Sequence, residues 1–157
     1  MDANIINPFI SSTMNVLTTM ASVNPTAGKP TVKPDNKSWG VVTGIIGLAS
    51  NKIRGTMILS FDEPSILKIV NNMLGENYTA INDEIVDAVG ELTNMICGGV
   101  KKQLGDLGML FDLATPLMLV GQGVELKSLT KAPIISIAFE IPEGKFVIEA
   151  NLADFAK

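Results

Sequence analysis

From Ile53 to Phe61 the apolar positions alternate: Ile53, Met57, Leu59 and Phe61 share one face, with Arg54, Thr56 and Ser60 on the other. That is the period of a half-buried strand, and it predicts pairing with 41–48 through a turn at 49–52. Ile135, Ile137, Phe139 and Ile141 alternate in the same way, as do Phe146, Ile148 and Ala150, with Pro142-Glu143-Gly144-Lys145 between them. This predicts a hairpin, and a further strand is expected near 117–120. The period changes to 3.6 elsewhere. An opening helix is expected over about 4–20, with Pro8 tolerable only in its first turn. Asp62 reads as an N-cap with Pro64 in the first turn, opening a short helix that Gly75 closes. A third helix begins after Asn82 or Thr79, with Asp83 and Glu84 in its first turn and Lys101 and Lys102 in its last turns before Gly105. The 24–38 segment, with three prolines and a glycine, reads as a loop.

Strands, then helices, then strands predict an α+β class: an antiparallel or mixed β-sheet with a few long helices packed on it. The 157 residues fit a single domain spanning 1–157. Segments 41–75 and 117–155 share a loose strand–strand plan, without a residue-level repeat.

Composition narrows the chemistry. Apolar residues make up 46% and charged residues 18%, with a mean hydropathy of +0.33. Such a surplus is expected to be covered in doubly packed strands or a subunit interface. No apolar run approaches the roughly 18 residues of a membrane span, and the first residues lack a signal-like block, so a cytoplasmic protein is expected. A net charge of −4 with scattered lysines argues against nucleic acid. The lone Cys97 permits no internal disulfide. There is no histidine, which excludes a Ser-His-Asp triad, a His-ligated zinc and a phosphohistidine relay. With Arg54 as its only arginine, the chain offers little for a bidentate phosphate clamp. If it acts on phosphate, something else must hold that phosphate.

At 100° per residue, Ile85, Val89, Leu92, Ile96, Gly99 and Leu104 form an apolar stripe on the third helix. Glu84, Asp87, Glu91, Asn94 and Gly98 occupy an arc of about 80° broadly opposite. Glu91 and Asn94 project together from adjoining turns. Gly98, one turn on, leaves a gap through which a partner backbone could approach. A solvated helix face explains the same pattern, since one Glu-x-x-Asn arises by chance about half the time in such a composition. The mid-helix glycines are less ordinary, each costing roughly 1 kcal/mol against alanine. Cys97 suggests a cysteine phosphatase, but that chemistry wants an arginine six residues on, where Gln103 stands. Gly121-x-Gly123 resembles the start of a dinucleotide loop, but no helix follows and it reads as a turn. The acids at 83, 84, 87 and 91 would hold a metal only weakly without histidine.

Gly90-Glu91-Leu92-Thr93-Asn94-Met95, preceded by Asn82-Asp83-Glu84, resembles the signature helix of the CheC/CheX/FliY phosphatases, and most closely their CheX-like branch. The likeness extends to Asp2-Ala3-Asn4-Ile5-Ile6-Asn7, Thr26-Ala27-Gly28-Lys29-Pro30, Arg54-Gly55-Thr56-Met57 and Ile69-Val70-Asn71-Asn72-Met73-Leu74-Gly75, nearly the whole chain. The resemblance implies a CheC-like fold and a phosphatase for the phosphoaspartate of a CheY-type response regulator in chemotaxis. It implies that Glu91 pairs with a lysine of the regulator while Asn94 enters the regulator's active site to orient the attacking water. Asp87 and Gly98 are further expected partner contacts. The chain would carry no cofactor of its own, the Mg²⁺ belonging to the regulator. A single active site is expected, because the first helix offers Asn4, Asn7 and Asn15 without a glutamate. Thr93, where a small residue such as glycine is common in the family, is not expected to block Asn94. Homodimerisation through the sheet is expected by the same resemblance. The alternative is a noncatalytic regulator-binding or flagellar-switch-like scaffold.

Overall fold

The computed structural model describes residues 3–112, 114–127 and 130–154. In chain order the elements are α1 (Ala3–Ala21), β1 (Thr26–Ala27), β2 (Thr31–Val32), β3 (Val42–Ala49), β4 (Ile53–Phe61), α2 (Glu63–Leu74), α3 (Asp83–Gly105), β5 (Leu117–Val120), β6 (Ile135–Ile141) and β7 (Gly144–Asp154). The strands form one antiparallel sheet in the order β1-β6-β7-β4-β3-β5, with β2 also pairing β6. Two hairpins, β3–β4 and β6–β7, thus meet through β4 and β7. The α+β architecture follows the expectation.

Met57, Leu59 and Phe61 of β4 point toward the helices with Phe146 and Ile148 of β7 and Phe139 of β6. Phe146 stacks against both Phe61 and Phe139, each at 5.1 Å between ring centroids. Ile66, Ile69 and Val70 of α2 and Ile85, Val89, Leu92, Ile96 and Val100 of α3 close the core from the other side. This burial of apolar surface is the main force holding the layers together.

Local signals set the helix limits. Asp62 Oδ1 accepts from the Ser65 amide at 2.9 Å, starting α2. Its Oδ2 accepts from the Lys145 amide at 2.9 Å, so the same carboxylate also ties α2 to the β6–β7 turn. Gly75 ends α2 in the left-handed region at φ 66°, where glycine carries no Cβ penalty. Asn82 caps α3 by accepting from the Ile85 amide at 2.9 Å.

Four expectations change. The 24–38 segment contains β1 and β2, because its backbone finds partners on β6, more than a hundred residues away. β4 is half-buried only at its start: Ser60 and Ile58 are buried on the outer face as well. Pro8 lies inside α1, beyond its first turn, and is itself buried. Gly99 belongs to the flank of α3 that meets α1.

The outer face is roofed by chain rather than by helices. The Leu126 amide donates to the Asn36 carbonyl at 2.7 Å and the Ser38 amide to the Val124 carbonyl at 2.8 Å, joining 33–38 to 123–126 as an arch. Lys33 anchors the arch to the sheet, its Nζ lying 2.9 Å from Glu149 Oε2 and 3.0 Å from Oε1. The two side chains are 9% and 2% exposed, so this is a buried ion pair. No helix among the described residues is long and apolar enough to cross a membrane.

Candidate active site

α3 lies across the sheet with its buried residues toward β3 and its opposite face open. The close approach is fixed at Gly44 of β3, where a Cβ would stand 2.1 Å from Thr93 Oγ1. Thr93 is fully buried and donates to the Val89 carbonyl at 2.7 Å, so it points away from Asn94. On one flank Gly99 meets Ser12 of α1, and on the other Gly90 lies 3.5 Å (from its would-be Cβ) from Met118 of β5. Both glycines face neighbours within the chain. Gly98 does not: a Cβ there would meet nothing within 4 Å.

Asp87, Glu91, Asn94 and Gly98 are all exposed along this outward face. The side chains of Asp87, Glu91 and Asn94 make no hydrogen bond or ion pair among the described residues. At 100° per residue the four fall within about 60° of arc, so one approaching surface can meet them together. Glu84, at the start of the same face, is engaged instead by the Tyr78 hydroxyl. That hydrogen bond, reinforced by burial and by the nearby Glu84 and Glu76 charges, pushes the phenol up to about 12. One neighbour escaped the sequence reading. Met95, 36% exposed, offers an apolar contact beside Glu91. Its place at the edge of the polar arc was the available signal.

The competing sequence readings fare differently. Cys97 is buried, and burial pushes its thiol up, with Lys101 acting weakly in the opposite sense. A buried, protonated thiol is a poor nucleophile. Gly121 and Gly123 adopt φ of 125° and 69° in a turn after β5, and their amides donate to the Val41 and Ser38 carbonyls. Among the described residues no three acidic, histidine or cysteine side chains converge as a metal site.

The model of the family "Chemotaxis phosphatase CheX" matches residues 42–140, which include the β3–β4 hairpin, α2, α3 and β5. The chain belongs to the CheX family. The CheY-P phosphatase CheX of Thermotoga maritima is 33% identical over 139 residues, covering 85% of this chain and 88% of that protein. A CheC-like superfamily protein from Shewanella sp. PV-4 superposes with a TM-score of 0.90 at 40% identity, over 98% of this chain and 99% of that one. The CheX of a CheX–CheY–BeF3–Mg²⁺ complex from Borrelia burgdorferi superposes with a TM-score of 0.77 at 27% identity, over 96% and 97%. As a CheX-family member, the chain presents the Glu-x-x-Asn pair of α3 on open surface rather than in a cleft of its own.

Proposed function

We propose that this chain, acting as one domain in the cytoplasm, hydrolyses the phosphoaspartate of a CheY-type response regulator. The observation that carries the reading is the exposed, unbonded Asn94 amide, one helical turn from an equally unbonded Glu91. An amide both donates and accepts, so it can hold a water molecule in a chosen orientation. An open face can insert that amide into the regulator's cleft, where an enclosed pocket could not.

In this mechanism Glu91 pairs with a lysine of the regulator and sets the register of docking. Asn94 then aligns a water opposite the acyl-phosphate oxygen. The water oxygen bonds to phosphorus as the bond to the aspartate breaks. The regulator's aspartate leaves as carboxylate, and the water's two protons go to the phosphate, one of them then passing to solvent as the phosphate equilibrates. A Mg²⁺ held by the regulator would neutralise charge on the phosphoryl oxygens. The contribution of this chain is therefore positioning. It needs no metal, histidine or perturbed base of its own. Asp87 and the open notch at Gly98 extend the contact surface. A second copy joined through the sheet, as the family resemblance implies, would leave α3 free.

The test is phosphate release from several regulators phosphorylated by acetyl phosphate, with and without the protein. Saturable acceleration supports the phosphatase. Saturable binding without acceleration would instead make the chain a docking module.

A further inference from the structure

The outer face of the sheet holds apolar surface that the main core does not reach. Ile45 and Ile58 are Cα partners on β3 and β4, and Ile58 is 7% exposed, yet neither belongs to the core shared with the helices. Strand pairing extends this row in both directions, to Leu117 on β5 and to Glu149 on β7. Adjacent strands lie about 4.8 Å apart, so the row presents three apolar side chains in succession and then a carboxylate clamped by Lys33. Leu126 of the arch and Ile134, whose carbonyl accepts from the Lys33 amide at 2.8 Å, line the space above the row. The enclosed cavity is about 290 Å³.

Engaged and unengaged polar groups are sorted along this cavity. Of the four charged residues that line it, Glu149 is paired with Lys33, and Glu125 accepts from Asn36 Nδ2 at 3.5 Å. The fourth, Lys127, makes no side-chain hydrogen bond or ion pair among the described residues, and neither does the Thr56 hydroxyl. Both also line the neighbouring cavity beside Arg54 and Ala49, so they mark the mouth where the two spaces meet. The free donors of the lining are thus a cation and a hydroxyl, while each carboxylate already has a partner. Mostly apolar walls with a few convergent polar groups are the form of a small-molecule site, and the volume falls near the lower end of the roughly 300–1,000 Å³ usual for one.

We propose that this cavity binds a medium-chain aliphatic monocarboxylate, its chain over Leu117, Ile45 and Ile58 and its carboxylate at Lys127 and Thr56. The site lies on the side of the sheet opposite α3, and it stands independently of the phosphatase reading. Apolar burial supplies affinity roughly in proportion to the area removed from water, which favours an extended hydrocarbon over a polar solute. The head group supplies selectivity, because a hydrogen bond between an ammonium and an ionised acceptor is about twice as strong as a neutral one. A cationic head would meet Lys127 and find both carboxylates occupied. Length is bounded by volume: the cavity holds the equivalent of about ten waters at roughly 30 Å³ each, too little for a long-chain lipid.

The experiment is isothermal titration of the full chain with octanoate, octylamine and octanol at low salt. Octanoate should bind saturably, one per chain, with a Kd below about 1 mM, and should raise the melting temperature as its concentration rises. Octanol should bind about tenfold more weakly, and octylamine should not bind. Lys127 is exposed, so Lys127→Glu leaves folding intact; it should weaken octanoate at least about tenfold and confer binding of octylamine. Ile45→Trp, which fills the floor, should remove octanoate binding from a chain whose circular dichroism is unchanged. Equal binding of octanoate and octylamine, binding that neither variant alters, or no binding of octanoate at about 10 mM overturns the proposal. So does a dimer that Ile45→Trp dissociates, which would give this face to a second copy of the chain.

Discussion

Two polar surfaces of this molecule use the same residue types to opposite ends. On the outer face of the sheet, Glu149 is paired with Lys33, and Asn151 Nδ2 donates to the Ala132 carbonyl at 2.5 Å. Thr43 and Ser60 share a hydrogen bond of 2.7 Å, and no buried side-chain nitrogen or oxygen among the described residues lacks a partner. On the open face of α3, Glu91 and Asn94 have none. A buried polar group left unpaired costs about 1–3 kcal/mol, so the chain must satisfy it internally. An exposed group is satisfied by water and remains free for another molecule. Residue type does not assign the role; bonding and exposure do.

Asn94→Ala tests the free surface with the largest expected effect. Regulator dephosphorylation should fall about 10²-fold or more, toward the regulator's own rate, while the melting temperature stays put. Single-turnover phosphate release and calorimetry check both parts, and parental acceleration in this variant would remove the mechanism. Glu149→Ala is the matching change on the paired surface. It should cost about 3–5 kcal/mol in urea unfolding by leaving the Lys33 charge buried without its counter-ion, without altering kcat of the folded fraction. The double variant Lys33→Met/Glu149→Leu should recover most of that loss. A Glu149→Ala protein as stable as the parent would erase the distinction between the surfaces. Glu91→Ala should raise KM about tenfold with a smaller change in kcat. A titration with phosphorylated regulator showing unchanged KM counts against its docking role. Gly98→Ala should be the mildest. It should stabilise the chain by up to ~1 kcal/mol, since helix propensity improves and no neighbour is struck, yet weaken docking. A variant that gains stability and keeps its KM would show that the notch receives nothing.

The ion pair also sets a pH response. Burial holds the Glu149 carboxyl above its ordinary range, while the bonds from Lys33 and Ser136 pull it down. The folded chain therefore binds this proton more readily than the unfolded chain. The contribution is complete below the ordinary glutamate pKa of about 4.3 and is lost as pH rises through the raised value. Urea midpoints followed upward from about pH 4 should decline more steeply in the parent than in Glu149→Gln.

Elements specified by neighbours in sequence were readable before the structure. The alternation from Ile53 to Phe61, the Asp62 and Asn82 caps, and the Gly75 stop each act within one turn or one strand. β1 and β2 were not readable, because strands of two residues have no period and exist through their pairing with β6. The Lys33–Glu149 pair joins residues 116 positions apart, and nothing local announces it. The site divides along the same line. The placement of Glu91 and Asn94 on one outward arc followed from helical spacing. The different duties of Gly98 and Gly99 did not, since only the arrival of Ser12 distinguishes the glycine that packs from the one that faces open space.

Asp62 couples events that are remote along the chain. One oxygen holds the Ser65 amide and the other holds the Lys145 amide, so the start of α2 cannot reach its final form before the distant hairpin has arrived. The two amides should then lose protection in a common opening, exchanging with deuterium at matched rates, and α2 and the β6–β7 turn should behave as one cooperative unit.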